Sequence, residues 1–281
     1  MTGRHILPQF IVIGAVKAAT TWLTGQLRQN PAIYLPEVEP HFFSSEYDRG
    51  FEWYSHFFRD APPGHLPGDK SADYLAHPDA ARRIADLLPD IPLIVQLRNP
   101  VDRAYSEYRM LCRQGVIGGP LEDYLIRSTA RWPQFLDDGL YFHHLKRWLN
   151  HFPRERLKVI LHEDVRERPA WVMEEICGHI GVPFHHVEEQ RPEPTIDGPV
   201  HVASRQMRGL AAPFKRAVKP LRGNPIFEAM RNRWSPAAHC SPLSASLRAH
   251  MEDFYAPDVE GLARLIRRDL TPWLSVTRQT A

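Results

Sequence analysis

Residues Phe10–Leu23 read FIVIGAVKAATTWL, and the fold follows from them. Phe10-Ile11-Val12-Ile13 has the β-branched and aromatic composition of a buried strand. Gly14 ends that run where the backbone must turn, and Thr20, Thr21, Trp22, Leu23 and Leu27 open a segment with helical spacing. Strand, small-residue turn and helix start together make an anion site, because the first amides of a helix lack partners and carry its positive dipole end. Lys17 lies in the turn, followed by Ala18 and Ala19, and the hydroxyls of Thr20 and Thr21 stand at the helix entrance. The stretch reads as a phosphate-binding turn. It lacks the second glycine and the adjacent Lys-Ser/Thr pair of a Walker A loop, since Lys17 precedes the first hydroxyl by three positions.

A second strand–helix unit follows at Ile91–Leu97, IPLIVQL, ending in Arg98-Asn99-Pro100. Asn99 is a favoured N-cap, Pro100 a favoured first helical residue, and Asp102 suits the positive end of the dipole. Ser106, seven residues past Asn99, returns to the same helix face near the strand end. Arg98 and Ser106 can therefore hold one phosphate between them, whereas a merely structural capped helix leaves both unexplained. Two phosphate-binding units at the carboxyl ends of neighbouring strands suit a nucleotide with separate 5′ and 3′ phosphates. A nucleoside triphosphate calls instead for a Walker lysine with a magnesium-binding Asp, and no such pairing is evident.

Between these units stand two further stretches. Glu37–Phe43 reads EVEPHFF and offers Glu37, Glu39 and His41 as candidate bases; Gly68–Tyr74 reads GDKSADY. Taken alone, Glu39 is a loop carboxylate and Lys70 a solvated lysine before a turn.

The order of these motifs resembles the sulfotransferases that use 3′-phosphoadenosine-5′-phosphosulfate (PAPS), closest to the heparan sulfate-type carbohydrate enzymes. The carriers of the likeness are K-x-x-T-T-W-L from Lys17, Glu39-Pro40-His41-Phe42-Phe43, K-S-A-D-Y from Lys70, and RNPVDRAYSEY from Arg98. The resemblance implies an α/β, P-loop-NTPase-like sulfotransferase fold with a central parallel sheet flanked by helices. It implies in-line sulfuryl transfer from PAPS to an acceptor hydroxyl of a glycan, lipid, secondary metabolite or carrier-bound acyl chain, releasing 3′,5′-adenosine bisphosphate (PAP), with no metal. It makes Glu39 the general base, Lys17 and Lys70 the catalytic cations, and Lys17, Ala18, Ala19, Thr20, Thr21, Trp22, Arg98 and Ser106 the nucleotide-binding residues. Val38 stands where many relatives have Lys, and Met110 where N-sulfating relatives have His, which favours O-sulfation. A nucleotide kinase or P-loop NTPase, or a non-catalytic nucleotide-binding module, is the alternative.

Composition bounds the rest. A chain of 281 residues can bury one sizeable α/β core, so a single domain over 1–281 is expected. A formal charge of +2 at pH 7 is too small to argue for nucleic acid. Cys112, Cys177 and Cys240 form no metal or disulfide pattern, which suits a reducing, cytoplasmic setting. No apolar run approaches a membrane span; Lys17 interrupts the one at Phe10–Val16. Helices are expected at about 78–88, in HHLKRWLNHF, at Ala170–Ile180, and as two C-terminal segments separated at Pro257, with a third strand at Lys158–Leu161. His143, His144 and His162 read as structural or solvated. The basic, Pro-rich stretch 188–242 carries eight Lys or Arg against Glu228 between His201 and Ser235, and reads as a lid or substrate-side segment.

Overall fold

A computed structural model describes residues 5–185 and 240–274. Most of the basic stretch, 188–239, lies outside the described residues. Five parallel strands form one sheet in the order β2-β3-β1-β4-β5. They are β1 (Phe10–Gly14), β2 (Ile33–Tyr34), β3 (Leu66–Lys70), β4 (Leu93–Leu97) and β5 (Leu157–Leu161). The helices in chain order are α1 (Thr20–Gln29), α2 (Gly50–Ser55), α3 (Ala80–Leu87), α4 (Pro100–Arg113), α5 (Glu122–Leu125), α6 (Gln134–Asp137), α7 (Tyr141–Leu149), α8 (His162–Glu167), α9 (Pro169–Ile180) and α10 (Ala245–Ile266).

The period-2 alternation of β1 splits the core between the two faces of the sheet. Phe10 and Val12 join Ile94, Ile160, Leu23 and Leu27 of α1, and Val172 and Ile176 of α9. Ile11 and Ile13 join Leu93, Val95, Ile84 of α3, Ala104 of α4, Trp148 of α7 and Met251 of α10 on the other face. Helices on both faces make the sheet doubly wound. The chain leaves β1 toward β2 and β3 on one side and returns to β4 and β5 on the other, so β1 is the topological switch point. In such sheets ligands bind beyond the carboxyl ends of the strands at that point.

Two expectations change. The stretch around Lys70 is not merely a turn: Leu66-Pro67-Gly68-Asp69-Lys70 is strand β3, paired with β1 so that Val12 lies opposite Lys70. The two C-terminal helices are one, α10, which continues through Pro257. The cost of an internal proline is met by tertiary contacts. The adjacent Asp258 carboxylate accepts the Phe142 and His143 backbone N–H groups at 2.8 and 3.0 Å, capping α7, while Tyr255, Val259 and Leu262 are buried around it. Among the described residues, no helix is long and apolar enough to cross a membrane.

Candidate active site

The turn after β1 has Lys17 and Ala19 both in left-handed backbone conformation, each with φ 65°. Ala19 precedes α1 and no side chain caps the helix, so its leading amides are left for an anion. Gln96 of β4 grips this turn twice. Its carbonyl accepts the Ala15 N–H at 2.8 Å, and its buried side-chain amide donates to the Ala18 carbonyl. Gly14, with φ 154°, is required here, because a Cβ would lie 2.8 Å from the Ala72 carbonyl oxygen and 2.9 Å from Leu75. Thr20 is buried and Thr21 exposed at the helix entrance, while Trp22 packs against the cluster of Phe10 and Val12.

Lys17 is half-buried, and that burial holds its ammonium below the usual lysine value. Glu107 of α4 opposes the shift and Lys70 adds to it, so groups from the ends of β1 and β3 and from α4 share one field.

The ammonium of Lys70 is paired with one oxygen of Glu39, and the other accepts the Ala72 N–H at 3.1 Å. His41 Nε2 lies 3.9 Å from that second oxygen. His41 has φ 51°, and its ring Nδ1 is 2.8 Å from Asp73 Oδ1. Beneath this layer Asp69 is fully buried and accepts from the hydroxyls of Tyr54, Tyr74 and Ser71 at 2.8, 2.9 and 2.8 Å. Burial outweighs those three bonds and raises its carboxyl to about 6. Phe42 and Phe43 pack on Tyr54 behind the base, with ring centroids 4.4 and 5.2 Å away.

Arg98 leaves the end of β4 and donates to the Lys17 carbonyl at 3.4 Å, which ties the turns after β1 and β4 together. Asn99 caps α4 as its sequence indicated, accepting from the Val101 and Asp102 amides. Ser106 is half-buried on α4 and neighbours Glu107. Glu107 pairs at 2.7 Å with Arg103, whose guanidinium is fully buried. Glu107, Gln96 and Asp73 were not singled out in the sequence. Gln96 had a visible signal, as the one polar residue inside the apolar run IPLIVQL. Among the tempting histidines, His144 is buried against the Asp137 carbonyl at 2.9 Å, and burial lowers it to about 4. His143 is exposed, and burial with Arg98 nearby lowers His162 to about 4. Among the described residues, no group of three or more His, Cys, Asp or Glu side chains is placed to hold a metal ion.

The switch point thus gathers Lys17, Lys70 and Arg98 from the ends of β1, β3 and β4 around an uncapped helix start. The described chain is a doubly wound α/β protein with three cationic side chains at its switch point. Residues 7–209 match the family model described as the Sulfotransferase domain, and the chain belongs to that family. It is 32% identical over 203 residues to mouse bifunctional heparan sulfate N-deacetylase/N-sulfotransferase 3, covering 64% of this chain and 23% of that protein. It is 29% identical over 187 residues to human heparan sulfate glucosamine 3-O-sulfotransferase 3B1, covering 64% and 48%. The chain therefore spans about half or less of these relatives' length. A solved sulfotransferase from Alicyclobacillus acidocaldarius superposes with a TM-score of 0.70 at 27% identity, covering 95% of this chain and 99% of that one.

Proposed function

We propose that the protein is a sulfotransferase that moves a sulfuryl group from PAPS to an acceptor hydroxyl, on a glycan, lipid or secondary metabolite. The observation that carries this reading is the Glu39–Lys70 ion pair set beside the Lys17 turn, a carboxylate base and two cations at one switch point. The left-handed turn, the uncapped start of α1 and Lys17 suit the 5′-phosphate, while Arg98 with Ser106 suits the 3′-phosphate.

In this scheme the acceptor oxygen attacks sulfur in line with the bond to the 5′-phosphate. Glu39 takes the hydroxyl proton as the new bond forms. Lys70 stabilises charge on the transferring group, and Lys17 meets the phosphate oxygen that leaves. The amides of Ala18 and Ala19, with Thr20 and Thr21, hold that phosphate, and Trp22 fixes the helix against the sheet. The scheme assigns no step to a metal. It also includes a single domain and a cytoplasmic location, for which the scattered cysteines Cys112, Cys177 and Cys240, none of them disulfide-bridged, are the support.

Thermal unfolding with PAP, with ADP, and with ATP plus magnesium tests the reading, together with transfer of label from [35S]PAPS. A ligand at 100 times its dissociation constant adds about 2.7 kcal/mol to the folded state. A clear shift with PAP and little with ADP is expected. A shift with ATP and magnesium alone would put a kinase or NTPase in its place.

A further inference from the structure

The loop that presents Glu39 carries a second acid–base group that the transfer scheme leaves unused. His41 is held in the left-handed region, where residues other than glycine are uncommon. Hydrogen bonds fix it there from several sides. Its backbone N–H donates to Ser71 Oγ at 3.0 Å, and its carbonyl accepts the Ser44 and Glu46 amides at 3.2 and 3.1 Å. Backbone conformations of this kind, over-determined by their surroundings, gather at functional sites.

The ring is fixed as well. Nδ1 meets Asp73 Oδ1 at 2.8 Å, and the Ser44 hydroxyl donates to Asp73 Oδ2 at 2.6 Å, so both carboxylate oxygens are engaged. This leaves Nε2 directed at Glu39 Oε2, 3.9 Å away. A base oriented by a hydrogen-bonded carboxylate on its far nitrogen is the arrangement that stabilises a transient imidazolium. The His41 side chain is 39% exposed, so a proton reaching it has a way out to water.

We propose that His41 and Asp73 form a dyad that relays the acceptor's proton from Glu39 to solvent, with Asp73 as the positioning residue that orients the imidazole. The proposal rests on Glu39 being the base. The acceptor O–H bond breaks as its oxygen bonds sulfur, and the S–O bond to the 5′-phosphate breaks with its electron pair leaving on PAP. The proton passes to Glu39, then to Nε2 of neutral His41, then to water, and no oxidant or reductant takes part. Glu39 is thereby returned to the charged form that pairs with Lys70 before the next turnover.

The charged groups facing His41 are Asp73 and Asp69 from the β3 strand and its following turn, and Glu39 from its own loop. The bond to Asp73, first among these, raises the imidazole above its ordinary value against the opposing effect of burial. Asp73 is held below the carboxylate range because the bonds from His41 and Ser44 outweigh its own burial. His41 therefore loses its relay form as pH falls through a midpoint above that of a free imidazole.

The test follows the His41 ring proton by NMR across pH in the full chain, in wild type and in Asp73→Asn, with the resonance assigned by its loss in His41→Gln. Sulfate release from [35S]PAPS, with water as the acceptor, is measured over the same range. PAP-induced thermal shifts show that each variant keeps its nucleotide site. In wild type the acidic limb of the rate profile should coincide with the His41 titration. In Asp73→Asn both should move to lower pH, with kcat on the plateau falling about tenfold and KM for PAPS nearly unchanged. A rate limb that stays in place while the His41 titration moves overturns the relay, and a titration untouched by Asp73→Asn overturns the dyad. If wild type neither binds PAP nor releases sulfate, the transfer reading fails and takes the relay with it. The NMR titration distinguishes that failure from a failure of the dyad.

Discussion

Glu39 and Lys70, thirty-one residues apart in the chain, are ion-paired beyond the carboxyl end of β3, and the Lys70 side chain is only 12% exposed. In the proposed scheme the carboxylate takes the acceptor's proton and the ammonium beside it meets the transferring group. Glu39→Gln retains the acceptor for the Ala72 amide but removes the base. Turnover with PAPS should fall by about 10²–10⁴-fold while PAP affinity changes little. Unchanged turnover in a variant that still binds PAP removes Glu39 from the chemistry.

Arg98 bridges the turns after β1 and β4 through the Lys17 carbonyl, and the proposed scheme gives it the 3′-phosphate. Arg98→Ala should weaken PAP binding by roughly ten- to a hundredfold, the worth of a charge-assisted hydrogen bond. ADP, which lacks the 3′-phosphate, should lose much less. Calorimetric titration of both ligands decides it. Equal losses for the two would move Arg98 away from the 3′-phosphate.

Lys17 supplies a pH dependence whose sign is fixed by its burial. In the proposed scheme its charged form binds phosphate, and desolvation makes it lose that charge at lower pH than an exposed lysine. PAP affinity should therefore decline as pH rises through the alkaline range, before an ordinary lysine titrates. Lys17→Arg, which stays charged, should flatten that decline. A wild-type affinity that is level up to pH 10 contradicts the assignment of Lys17 to the phosphate.

Asp69 predicts a pH dependence of stability. Its folded-state carboxyl, raised to about 6 by burial, takes up a proton more readily than in the unfolded chain. The stability it lends is thus fully present below about pH 4 and is lost as pH rises through about 6. Wild type should lose stability relative to Asp69→Asn over that interval, by an amount on the order of 2–3 kcal/mol. Urea unfolding of both proteins between pH 4 and 7 measures the difference, and parallel curves would mean that the three hydroxyl donors cancel the burial.

The two βα units were legible because each obeys local rules. A β-branched run, a small-residue turn and a helix start mark β1 and α1, and a capped Asn-Pro start marks α4. The expectation of a base at Glu39 and a cation at Lys70 came from motif order, since nothing local distinguishes either from a solvated charge; their pairing is what the structure adds. Strand β3 was not legible, because LPGDK carries proline, glycine and two charges in five residues. Its strand character comes from neighbours: Pro67 sits toward the short two-residue β2, and Asp69 is sheltered by the hydroxyls of Tyr54, Ser71 and Tyr74. Pro257 misled for a related reason, since the contacts that carry α10 through it lie on α6, α7 and the turn between them. The His41–Asp73 contact joins residues thirty-two apart, beyond any local pattern.

Gly68 offers a direct check on that account of β3. It lies opposite Phe10 in the β1–β3 pairing, and a Cβ built on it would fall 2.2 Å from the Phe10 ring. Phe10 is fully buried against both sheet neighbours and α1, so the ring has nowhere to move. Gly68→Ala should therefore destabilise the fold by roughly 1–3 kcal/mol, as overpacking of a filled core does. For a chain of this size that lowers the melting temperature by several degrees, at about 2–4 °C per kcal/mol. Adding Phe10→Leu should restore part of the loss, because the shorter side chain vacates the space the new methyl needs. A Gly68→Ala protein that melts within a degree of wild type would show that β3 tolerates a side chain there, and that the ring does not set the pairing.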